Sequence, residues 1–74
     1  MELKILSEFI EKITENRIEI KKDYDFSNEC DDIVAIAYNK GALYSLDLTI
    51  QILNDMLDKE IETMAANMEG EKNA

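Results

Sequence analysis

The chain contains no histidine, no proline and no tryptophan, and it has one cysteine and two glycines. Each absence excludes something. Without histidine there is no side chain whose unperturbed titration falls near neutrality, and neither a Ser–His nor a Cys–His nucleophile pair can be built. The same lack removes the usual mixed ligand sets of zinc. One cysteine, Cys30, precludes an internal disulfide and fits a reducing compartment. The absence of proline and the scarcity of glycine leave no recognisable linker, so the chain reads as one domain over residues 1–69, with 70–74 as a polar, flexible tail after Gly70. No apolar run approaches the ~20 residues of a membrane span, and no N-terminal apolar leader is visible. A cytoplasmic protein without cofactor or metal is expected.

What is present is acid. Seventeen Asp and Glu face eight Lys and Arg, giving a net charge of −9. The excess is unevenly placed. Residues 1–22 balance five acids against five bases, whereas residues 23–74 hold twelve acids and only Lys40, Lys59 and Lys72. Such a surface repels nucleic acid and anionic membranes and attracts basic proteins at long range.

Leu3, Leu6, Phe9, Ile10, Ile13 and Ile20 recur at three- and four-residue steps, which predicts an amphipathic helix from Glu2 to about Lys22. Over Arg17–Lys21 the pattern alternates, and a short strand is the competing reading there. A connector is expected over residues 23–28, with Ser27 and Asn28 as N-caps and Glu29, Asp31 and Asp32 in the following first turn. Beyond it the pattern forks. Cys30, Val34, Ala37, Gly41, Tyr44 and Leu48 make one helical stripe, and Leu46, Ile50, Leu53, Leu57, Ile61, Met64 and Met68 make another. The same region also reads as two strands, Ile33–Tyr38 and Leu46–Ile52, around a turn at Asn39–Gly41. The helical reading is preferred. The cap signal points into a helix, Ala35, Ala37 and Ala42 suit strands poorly, and the stripe continues through Leu57 and Ile61. Gly41 costs such a helix about 1 kcal/mol relative to alanine, tolerable where two helices approach closely.

The expected fold is therefore all-α, a helical hairpin whose long second helix is continuous or broken near Gly41. The alternative is α+β, with a β-hairpin over 33–52 between terminal helices. A chain of 74 residues buries a thin core, and self-association is the one staple its composition leaves open. A homodimeric helical bundle is expected, with Leu46, Ile50, Leu53, Leu57, Ile61 and Met64 at the oligomer interface.

Candidate chemistry is sparse. Cys30 lies among Glu29, Asp31 and Asp32, whose charges oppose thiolate formation, so it reads as a structural, partly buried residue. Asp23-x-Asp25-x-Ser27 opens like an EF-hand loop, but Asn28 and Val34 stand where that loop needs glycine and a bidentate glutamate, so it reads as an acidic turn. Met56, Met64 and Met68 read as core or dimer seam. No catalytic constellation emerges, and the chain is expected not to be an enzyme.

The acidic cluster Asp23, Asp25, Glu29, Asp31 and Asp32, supported by Asp55, Asp58 and Glu62, carries the leading functional reading. Carboxylates held in order on helices imitate a phosphate backbone and occupy the nucleic-acid-binding site of a basic protein. The expected function is a non-enzymatic inhibitor or regulator of such a host protein, with affinity that falls as salt rises. The competing reading is a structural or adaptor homo-oligomer that binds a partner helix through its apolar stripes. Reversing Asp31 and Asp32 tests the first reading, and Leu46→Asp or Leu53→Asp tests the second.

In Tyr38-Asn39-Lys40-Gly41-Ala42-Leu43, Ser45-Leu46-Asp47 and Ile52-Leu53, and in its length and composition, the chain resembles small acidic bacteriophage and prophage early proteins. That resemblance implies a host-takeover or anti-defence role, in which a small protein binds one host factor and in some cases mimics DNA.

Overall fold

The computed structural model describes residues 3–73, with side chains described for residues 3–68. The described residues form two α-helices, α1 (Leu3–Glu29) and α2 (Ile33–Asn73), packed as an antiparallel hairpin with no strand among them. The molecule is a rod of 64 × 15 × 15 Å.

The helical seam follows from a three-and-four spacing on both elements. On α1, Leu6, Ile10, Ile13, Arg17, Ile20, Tyr24 and Ser27 are buried or half-buried. On α2 the matching line is Ile36, Asn39, Leu43, Leu46, Ile50, Leu53 and Leu57, all half-buried. That periodicity lets side chains of one helix interdigitate with the other along their whole shared length. Two polar contacts set the register. Arg17 bonds through Nε to Asp47 Oδ1, with Nη2 3.4 Å from Oδ2, and Asn39 Nδ2 donates to Ser27 Oγ at 3.4 Å.

Two sequence expectations are corrected. The β-hairpin alternative over 33–52 is excluded, because α2 runs through this region and through Gly41 without a break. The connector is not at 23–28. Ser27 and Asn28 do not cap α2; their side chains donate backward to the Tyr24 carbonyl at 2.8 and 3.0 Å, and α1 continues to Glu29. Helix α2 is described as far as Asn73, while Ala74 and the side chains of the expected 70–74 tail lie outside the described residues.

The reversal occupies Cys30–Asp32. Asp32 N–H bonds the Ser27 carbonyl at 3.1 Å and Asp31 N–H bonds the Asn28 carbonyl at 3.2 Å, with Asp31 at φ 54°. This is a Schellman closure, in which the residue after the cap turns left-handed to satisfy the last carbonyls. Glycine is the usual occupant because a Cβ is disfavoured there. Asp32 then caps α2 by accepting the Ala35 N–H at 3.2 Å. Asp31→Gly is expected to stabilise the hairpin by up to about 1 kcal/mol, read as a higher urea midpoint at unchanged slope. A fall in midpoint would show that the aspartate side chain has a role beyond the turn.

Candidate protein-interaction surfaces

The five carboxylates of the proposed cluster gather at the closed end of the rod, but in different settings. Asp25 is paired with Lys21 at 2.7 Å, and Asp32 is engaged as the α2 cap. Asp23, Glu29 and Asp31 are exposed and, among the described residues, have no cationic partner. Lys21 and Lys22, the nearest bases in sequence, are turned to Asp25 and Glu19. Asp23 and Asp25 stand on a continuous helix about 200° apart around its axis, so they do not form a cation-binding loop.

Asp55, Asp58 and Glu62 are exposed on the other half of α2, about 35–45 Å from Asp32 along the helix. Between the two acidic ends, Ile33–Asn54 carries only Lys40 and Asp47 as charged residues. Asp47 belongs to the seam: the hydrogen bond from Arg17 holds its carboxyl below the ordinary aspartate range, while the same bond raises Arg17. Because the folded-state value is depressed, the pairing supports the fold above the ordinary aspartate range and is lost as pH falls through the lower value. The acids of α2 thus fall toward its two ends around a stretch poor in charge, while Glu8, Glu11, Glu15 and Glu19 are exposed on α1 alongside that stretch.

The apolar residues divide in an unexpected way. Leu46, Ile50, Leu53 and Leu57, assigned from the sequence to an oligomer interface, lie on the seam line of α2 that faces α1. Ile61 and Met64 lie near and beyond the end of α1, which falls level with about residue 62, and both are half exposed. The other sequence stripe points away from α1: Val34, Tyr44 and Leu48 are exposed, as are Ala37 and Gly41. Tyr38, Ile52, Met56 and Met68 are exposed as well, and so is Cys30, contrary to the buried role expected for it. On α1, Ile5 and Phe9 line a shallow apolar groove with Glu8 and Lys12. Among the described residues Leu6 alone is a fully buried hydrophobic side chain.

No helix is long and apolar enough to cross a membrane among the described residues. Comparison with protein-family models, curated proteins and solved structures finds no match for this chain.

Proposed function

We propose that this protein is a non-enzymatic interaction module, whose hairpin is completed by helices from outside its own chain. The observation that carries this reading is the exposure of Val34, Tyr38, Tyr44, Leu48 and Ile52 along the waist of α2, with only two charged residues in that stretch. Isolated exposed apolar residues are ordinary, but several large ones along one stretch of helix poor in charge mark a surface that another protein covers. The acids at the two poles then serve solubility and long-range selection of basic neighbours.

The test is capture by the tagged full chain at about 0.1 M and about 0.5 M salt, where the Debye length falls to a few ångströms. Apolar engagement persists at the higher salt and is lost in Leu48→Asp. Capture that vanishes with salt yet survives Leu48→Asp would instead assign function to the acidic end. That second reading, an inhibitor docking on a basic nucleic-acid-binding protein as in the phage proteins the sequence resembles, draws support from one observation. Asp23, Glu29 and Asp31 are exposed near the closed end without a cation among the described residues.

A further inference from the structure

The exposed line on α2 is ordered in a way that identifies what covers it. Val34, Tyr38, Gly41, Ser45, Leu48 and Ile52 follow one another at steps of four, three, four, three and four. At about 100° per residue they fall within a strip about 80° wide, on the side of α2 nearly opposite the seam. Val34 is 80% exposed, Tyr38 77%, Ile52 59% and Leu48 43%. None of the six is charged.

The order of sizes matters as much as the spacing. Two large residues precede two small ones, and two large ones follow. Read in reverse, the steps are the same and large and small residues fall in the same order. A surface with this property can meet a copy of itself residue for residue about a two-fold axis, as in an isologous contact between identical chains. In an antiparallel pair of α2 helices centred between Gly41 and Ser45, Gly41 meets the partner's Ser45, Tyr38 meets the partner's Leu48, and Val34 meets the partner's Ile52. The small residues then sit at the crossing, where backbones come closest, and the large ones flank it.

Gly41 supports this independently. A Cβ placed on it would meet nothing within 4 Å, so packing against α1 does not explain a glycine inside this helix. Close approach from outside the chain does.

The surface area leaves room for such a contact. The chain exposes 5931 Å². A compact monomer of 8.5 kDa would expose about 4,700 Å². Part of this excess, about 1,300 Å² per chain in all, belongs to the rod shape and to the stretch of α2 that runs past the end of α1; the whole is enough to hold one partner's ~800 Å² share of a standard interface.

We infer that the protein is a homodimer formed by antiparallel packing of α2 against α2 across the strip from Val34 to Ile52, with Gly41 at the crossing. This rests on the reading that outside helices complete the hairpin, and names the partner as a second copy. Antiparallel packing sets each acidic turn level with the partner's Asp55–Glu62 stretch, with Lys59 the nearest offsetting charge. Like charges face each other at both ends, so salt strengthens the dimer.

Sedimentation equilibrium of the full chain tests this, with far-UV circular dichroism to follow helicity. The wild type is expected at twice 8.5 kDa, with dissociation weakening as salt rises from about 0.1 to 0.5 M. Ile52→Asp is expected to give a helical monomer, since Ile52 lies off the seam. Gly41→Leu is the sharper variant. It adds a strong helix former in open space, so the single chain gains helicity, yet it fills the crossing and weakens dimerisation by at least about tenfold. A wild type that stays at 8.5 kDa while fully helical at about 200 μM overturns the inference, as does a Gly41→Leu variant that dimerises as tightly as wild type. The dye 1-anilinonaphthalene-8-sulfonate separates two kinds of failure. A monomer that binds it strongly keeps an open apolar surface for another protein. A monomer that does not bind it removes the proposed function too.

Discussion

Leu6→Ala is expected to lower the thermal midpoint by at least about 10 °C, the largest effect of any single truncation on α1. Leu6 is the one hydrophobic side chain among the described residues with no solvent exposure. Truncating a buried leucine costs about 2–5 kcal/mol, combining lost transfer energy with the cavity left behind. A single core in a chain of this size rarely supplies more than about 3–5 kcal/mol, so one substitution consumes most of it. Phe9→Ala, three residues on, is the control. Phe9 is 55% exposed and off the seam, and its truncation is expected to stay within about 0.5 kcal/mol in the single chain. Thermal melts followed at 222 nm compare the two. Equal shifts would mean that the seam is not what holds α1 to α2.

The seam also explains why the fold was harder to read than its simplicity suggests. Over Leu46–Ile52 the sequence alternates apolar and polar like a strand, but the structure has a helix with two apolar faces. Leu46 and Ile50 face α1, whereas Leu48 and Ile52 face outward. Two opposed helical faces, sampled over seven residues, produce the same alternation as one face of a strand. Ile18 and Ile20 repeat the effect on α1, with Ile20 on the seam and Ile18 exposed. The length of the apolar pattern separates the two readings, because no strand continues through Leu57.

The turn was misplaced for a local reason. Ser27 and Asn28 are good N-cap residues by type, but here they return their hydrogen bonds to the Tyr24 carbonyl, and the cap falls to Asp32. Ser27 is also drawn inward by its contact with Asn39, a long-range partner that local propensity cannot reveal. Which apolar stripe meets α1 was equally hidden. Both stripes have helical spacing, and only the register set by Arg17–Asp47 and Ser27–Asn39 decides between them. One consequence is that Leu46→Asp and Leu53→Asp test the hairpin itself, while Leu48→Asp and Ile52→Asp test what binds to it.

The same correction reshapes the test of the acidic end. Reversing Asp31 and Asp32 would change the charge and the turn together, because Asp31 holds the left-handed position and Asp32 caps α2. Loss of a cap alone costs about 1 kcal/mol. Asp23 and Glu29 are the cleaner pair: both are exposed, and neither is hydrogen-bonded or ion-paired through its side chain among the described residues. Glu29 closes α1, where a carboxylate opposes the helix dipole, so Glu29→Lys is expected to add about 0.3–1 kcal/mol of stability. Asp23→Lys with Glu29→Lys moves the net charge from −9 to −5, two charge units at each site. If the closed end docks on a basic protein, this variant keeps full helicity while its association rate with basic proteins retained from a bacterial lysate falls about 10- to 10³-fold at low salt. Surface plasmon resonance against the retained proteins reads that rate directly. Because the variant is expected to be at least as stable as wild type, lost binding could not be blamed on unfolding. Unchanged rates would reduce the acidic poles to a solubilising role and leave the apolar strip as the working surface.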